Sequence, residues 1–251
     1  MRHPIEEEIM TEAKLDLIAK LLAKAESTTP EEAEALTEHA ARLMVKYGID
    51  QARIDERRAR GGHPPEEIVQ ERMVFTGAYA RDLRDLGGAV AHAVGTIRPL
   101  QAELAGVGSI LILVGYASDV RQAQVLIGSL RIQAMVAMRA WWDAARVAYE
   151  WHTESERRRA RSGFVRGFGG GAAARIAENR NAVVEEAGSG TDLVLASRRQ
   201  RVDAFVDGMP TRRARRRSGA DAGAYVSGHR SGRQANTGEA AIRERRSLPQ
   251  G

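Results

Sequence analysis

Glycine recurs at every fourth position twice in this chain. It does so as Gly163, Gly167 and Gly171 within "SGFVRGFGGGAAARIAENR", and as Gly219 and Gly223, continued by Ser227 and Ser231, within "SGADAGAYVSGHRSGR". Gly228 and Gly232 mark the neighbouring line of the second stretch. Both stretches have a helical residue mix, yet a glycine inside a helix costs roughly 1 kcal/mol relative to alanine. Close approach of two helix backbones is the natural compensation, because small residues let the axes come near one another in water as in membranes. The spacing therefore predicts a helix pair in which Gly163, Gly167 and Gly171 face Gly219, Gly223, Ser227 and Ser231.

The helical reading extends to most of the chain. In "EEEIMTEAKLDLIAKLLAKAE" apolar residues recur as Ile9, Ala13, Leu17 and Leu21, the stripe of an amphipathic helix. Thr29, Pro30 and Glu32 then form a capping-box start, and Ala33, Leu36, Ala40, Leu43 and Tyr47 carry a second stripe that Gly48 is expected to end. Residues 1–60 thus read as a helical hairpin, with Asp50 capping a short charged helix, and "GGHPPEE" marks a boundary. So small a unit buries little surface by itself, so its stripe is expected to be covered by the same chain or by a second copy, with Leu21 and Leu43 as anchors.

From Ile68 the period changes. "IVQERMVF" and "SILILVG" read as strands, and "RPLQAEL" pairs with the latter through the turn "AGVG". Between them, Leu83, Leu86, Val90 and Val94 keep helical spacing. Ser118 is expected to cap a long helix over 118–151, with Val120, Ala123, Ile127, Leu130, Ala134, Met138 and Trp141 on one face. "TDLVLAS" reads as a short strand and "RRQRVDAFVDGM" as a short helix. The expected fold is α+β and mainly helical: an N-terminal helical hairpin (1–60), an α+β domain (68–208) with a small three-stranded, partly antiparallel sheet, and a basic linker with a glycine-rich helix (209–251).

The formal net charge of +5 is unevenly spread. Residues 1–150 carry 18 Lys and Arg against 22 Asp and Glu, whereas 151–251 carry 20 against 11. The second half thus presents a positive field that attracts phosphates or acidic partners. Its densest feature is "RRARRR", with Arg212, Arg213, Arg215, Arg216 and Arg217, followed by Arg230 and Arg233 on the glycine-rich helix. These seven arginines are the candidate nucleic-acid contacts; a solvated linker biased toward arginine is an equal reading of the run. A second cluster sets Trp141, Trp142, Tyr149 and Trp151 just before Arg157, Arg158, Arg159 and Arg161. Aromatic faces beside guanidinium groups suit base stacking, although aromatic residues at helical spacing are more often core.

Other chemistry is thinly represented. With no cysteine, thiolate metal sites, disulfides and cysteine nucleophiles are excluded, in keeping with a reducing cytoplasm. His39, His92, His152 and His229 are scattered without ligand spacing, so no metal or cofactor is expected. "GFGGG" lacks the Gly-Lys-Ser/Thr ending of a phosphate loop. Ser118 before Asp119 fits a helix start better than a nucleophile, and no catalytic residue is assigned. Apolar runs such as "ILILV" are far short of the ~20 residues of a membrane span, so a cytoplasmic protein without membrane contact is expected.

Four segments together, "KLLAKAESTTPEEAEALTEHAARLMVKYGID", "VGYASDVRQAQVLIGSLRIQA", "SGFVRGFGGGAAARI" and "AYVSGHRSGRQANTG", resemble an uncharacterised family known only as a domain of unknown function, found in actinobacteria and their bacteriophages. The first segment carries the match in its "LLAKAEST", "EEA" and "YGI" order, and the second resembles a companion domain that commonly follows it. The resemblance implies an accessory or phage-encoded role and brings no catalytic residues. Two functions stand beside each other at this point: a nucleic-acid-associated accessory protein binding phosphates without sequence preference, and an assembly module docking a protein partner or a second copy through the N-terminal hairpin. An enzyme assembled from scattered residues is a third, since such a site leaves no linear trace.

Overall fold

The computed structural model describes residues 66–104, 106–188, 190–212 and 219–235, together with 13, 16–18, 20, 21, 24, 36, 39, 40, 42, 43 and 45–54. Its sheet holds β1 (Ile68–Phe75), β2 (Arg98–Leu104) and β3 (Gly108–Tyr116) in the order β1-β3-β2. Both pairings are antiparallel, from Ile68 opposite Tyr116 and from Arg98 opposite Val114. The three-stranded sheet is antiparallel throughout. Helix α1 (Ala80–Val94) connects the two edge strands, and β3 inserts between them, giving a split β-α-β unit. Five longer helical elements follow the same logic of burying one face: α1, α2 (Ala117–Ala145), α3 (Glu154–Glu186), α4 (Thr191–Asp207) and α5 (Ala222–Arg233).

Alternation along the central strand explains the layers. Leu111 and Leu113 face the main core with Leu86 and Val90 of α1 and Val120, Ile127 and Leu130 of α2. Val114 and Tyr116 face the other way, onto Val202 and Val206 of α4. Both faces of β3 are thus covered, which is why "SILILVGY" reads as a continuous apolar run instead of an alternating one. Helix α3 packs on α1 from outside and carries α5 on its own outer side.

Helix boundaries depart from the sequence reading at several points, each with a local cause. Ser118 does not cap α2; its N–H and hydroxyl both donate to Glu66, at 2.6 and 3.0 Å, so a carboxylate just before β1 satisfies the helix start. The long helix ends at Ala145 rather than 151, passes through a 3₁₀ turn (Arg146–Tyr149), and α3 begins with a capping box between Thr153 and Glu156. "TDLVLAS" is the start of α4 and not a strand: Thr191, Leu195, Arg198 and Val202 are its buried positions, at helical spacing, while Leu193 of the apolar run is exposed.

The first N-terminal stripe is covered only in part, with Ala13 and Leu17 exposed and the neighbouring Ile18 turned inward. Ile18 and Ala40 are fully buried in the main core, with Leu21 and Leu43 half-buried against it. Residues 45–54 form one helical stretch that passes through Gly48 and Asp50, so neither ends nor starts a helix there. Ile49 and Ala52 bury themselves against Leu195 of α4. The expected boundary at "GGHPPEE" lies largely outside the described residues. Ile18→Ala is expected to cost about 3 kcal/mol and Leu21→Ala or Leu43→Ala less, because only Ile18 leaves a closed cavity; urea unfolding of the three variants ranks them.

Candidate nucleic-acid interface

The glycine pair forms, with one register correction. A Cβ placed on Gly163 would lie 3.1 Å from the Asp221 carbonyl oxygen, on Gly167 2.0 Å from that of Tyr225, and on Gly171 2.1 Å from that of His229. From the other side, Cβ atoms on Gly228 and Gly232 would lie 2.0 Å from the carbonyl oxygens of Phe164 and Phe168. The facing line of α5 is Ala224, Gly228 and Gly232, not Gly219, Gly223, Ser227 and Ser231: Gly219 precedes the helix and meets nothing within 4 Å. A glycine Hα aimed at a carbonyl oxygen across two helices is a weak C–H···O hydrogen bond.

This packing fixes where the basic residues stand. Asp221 starts α5 by accepting the Ala224 N–H at 2.8 Å, and Tyr149 donates to the same carboxylate at 3.2 Å. Ala220 and Asp221 cover Gly163, so the segment carrying the basic run returns to α3 one turn, about 5.4 Å, from Arg159. Its other end is held where Val206 and Met209 rest on the outer face of the sheet. Arg212 is exposed between those anchors; Arg213, Arg215, Arg216 and Arg217 lie outside the described residues. Arg230 is exposed on α5, in a surface depression it shares with Tyr225 and His229, whose rings stack at 6.4 Å. Arg233 is committed elsewhere: it grips Glu178 with two hydrogen bonds of 2.8 Å, and that bond holds the Glu178 carboxyl below its ordinary range.

The second arginine cluster divides. Trp141 stacks on Phe164 at 4.9 Å, and Trp142 and Tyr149 complete a packed aromatic group, with only Trp151 left in solvent at 93% exposure. Trp141, Trp142 and Tyr149 pack, partly buried, against the main core. Arg157 donates to the carbonyls of Tyr149 and Glu150, and Arg161 pairs with Glu154 while lying 4.8 Å over the Trp142 ring. Arg158 and Arg159 are exposed and make no hydrogen bond or ion pair among the described residues. Both line a cleft of about 730 Å³ between the start of α3, the β1–α1 loop and the β2–β3 turn. The carboxylates of that cleft are engaged, Asp82 by Ser162 at 2.8 Å and Glu103 by Arg84 at 2.5 Å and Arg81 at 3.2 Å. The sequence weighed the arginines only with their aromatic neighbours; pairing at Glu154 and at two carbonyls, which separates the free pair from the bound pair, carried no signal there.

Among the described residues no group of His, Asp and Glu is placed to hold a metal ion, and no helix is long and apolar enough to cross a membrane. Residues 11–51 match the model of a family described as a protein of unknown function (DUF2786). That match falls on the N-terminal helical residues, the first of the four segments quoted above. No curated protein and no solved structure matches the chain.

Proposed function

We propose that this chain is a nucleic-acid-associated accessory protein of actinobacterial or phage origin, acting in the cytoplasm and binding phosphates without reading sequence. The observation that supports the reading is convergence. The described residues that flank the run are held, Met209 on the sheet and Asp221 over Gly163, and the exposed Arg158 and Arg159 stand about one turn before Gly163 on α3. Guanidinium groups without carboxylate partners keep their full attraction for phosphate, and each phosphate they neutralise releases counterions. The arginine-rich composition and the absence of cysteine accord with the proposed origin and compartment. The assembly reading has less apolar surface to rest on, since Ile18 and Ala40 are buried in the chain's own core and Ala13 and Leu17 are left exposed.

Salt dependence tests the proposal. On duplex DNA, Arg212, Arg213, Arg215, Arg216 and Arg217 should together contribute about −4 to −5 to the slope of log K against log salt, and replacing all five by glutamine should flatten the slope by that amount. Arg158→Gln with Arg159→Gln should flatten it further by about 2, whereas Arg233→Gln should change it little because Glu178 already neutralises that residue. Affinity should fall equally on unrelated sequences, since phosphate contacts carry no base information. Absence of binding by the wild-type protein at low salt would leave the arginines as a solvated surface.

A further inference from the structure

A second site lies away from the arginine-rich surface, where the N-terminal helical residues meet the end of α1 and the starts of α2 and α4. It is a cavity of about 70 Å³, several times the roughly 10–15 Å³ that one water requires. Its walls are apolar, with Ile49, Leu126, Ile176 and Leu195 among them. Five polar side chains line it: Thr96, Asp119, Gln122, Asn179 and Arg180. Gln122 is only 5% exposed, and its Nε2 has no hydrogen-bond partner. A buried N–H left unpaired is costly and rare in native proteins, and one lining a cavity is a donor awaiting an acceptor.

Charge points to the sign of that acceptor. Arg180 is half-buried, and its guanidinium makes no hydrogen bond or ion pair among the described residues. Burial and the nearby Arg199 lower its proton affinity, while the Asp119 carboxylate raises it. The carboxylates of the region, Asp119 and Glu66, are both bound by Arg198, at 3.2 and 3.1 Å. Arg199 in turn has the Asp203 carboxylate near it, which leaves Arg180 as the guanidinium lining the cavity with its hydrogen-bond donors unfilled among the described residues. We propose that this cavity binds a short aliphatic monocarboxylate, its carboxylate accepting from Gln122 and Arg180 and its hydrocarbon tail lying against Ile49, Leu126, Ile176 and Leu195.

The full chain is titrated with the sodium salts of acetate, propionate, butyrate and hexanoate, against sodium chloride at equal ionic strength. Thermal unfolding and the side-chain amide resonances of Gln122, assigned by their loss in Gln122→Leu, are followed together. The expected result is a saturable rise in Tm for the carboxylates over chloride, strongest for the length that fills the cavity, with the Gln122 resonances moving along the same isotherm. Gln122→Leu and Arg180→Met should each weaken binding by about tenfold or more, the usual loss for a hydrogen bond to a charged group. Gln122→Leu replaces the unpaired amide with a slightly smaller apolar group, so in chloride its Tm should lie close to that of the wild type and the variant remains a folded test of binding. Chloride matching the carboxylates, stationary Gln122 resonances, or undiminished binding by Gln122→Leu would each overturn the site and leave a water-filled void.

Discussion

Gly228→Ala is expected to lower stability by about 3 kcal/mol and to loosen α5 from α3, the upper range for overpacking a tight interface. The added methyl would sit 2.0 Å from the Phe164 carbonyl oxygen, and backbone cannot swing aside as a flexible side chain can. Relief requires the two helix axes to separate. Cβ atoms on Gly167, Gly171 and Gly232 would likewise lie 2.0–2.1 Å from facing carbonyl oxygens along the same seam, so separation loosens all three approaches at once and uncovers the buried Ala224, Phe164 and Phe168. Gly223→Ala provides the contrast, since its new methyl meets only the Asp221 side chain at 3.6 Å. There the helix-propensity gain, at most about 1 kcal/mol, stands unopposed. Urea unfolding followed by the fluorescence of Trp141, which stacks on Phe164, measures both variants, and equal stabilities would refute the seam.

The glycine seam was legible as a spacing but not as a register. Two lines of small residues run along the second stretch, and both satisfy a four-residue repeat. What separates them is the position of the helix start: Asp221 accepts the Ala224 N–H, which leaves Gly219 outside the helix and puts Ala224 at the head of the inward line. The Asp-x-x-Ala start was visible in the sequence, as was the Thr153 to Glu156 box that ends the long helix early. Apolar content misled at Leu193, because a run of four apolar residues fits a strand or a helix and only the burial of Arg198 and Val202 further on decides for a helix. Other features had no local trace. Glu66 caps a helix through Ser118, 52 residues later in sequence, and the cavity donors Gln122 and Arg180 come from different helices brought together only by the fold.

Arg198→Met is expected to cost about 3–5 kcal/mol at neutral pH and distinctly less in acid. Arg198 is 4% exposed, binds Glu66 at 3.1 Å and Asp119 at 3.2 Å, and lies 3.7 Å over the Tyr116 ring. Methionine keeps most of the apolar stem but leaves two enclosed carboxylates facing each other without a cation, and stranding a buried charge is the expensive half of breaking such a pair. The pH dependence follows from Asp119. Its burial already pushes its carboxyl above the ordinary 3.8, while the attraction of Arg198 and a hydrogen bond from Thr96 hold it down. Removing Arg198 raises it further. An acid with a folded pKa above its unfolded one binds more protons when folded, so stability falls as pH rises from the unfolded value through the folded one. The gap between variant and wild type should therefore be small near about pH 4 and widen toward neutrality, and adding Asp119→Asn should recover most of it. Urea unfolding at both pH values reads the gap directly, and a gap that does not change with pH would refute the stranded carboxylate. The consequence reaches the arginine-rich surface, because Arg198 fastens α4 to Glu66 before β1 and to α2. With α4 loosened, Met209 no longer fixes one end of the segment that begins at Arg212, so nucleic-acid affinity should fall while the salt slope, set by the number of arginines, stays as it was.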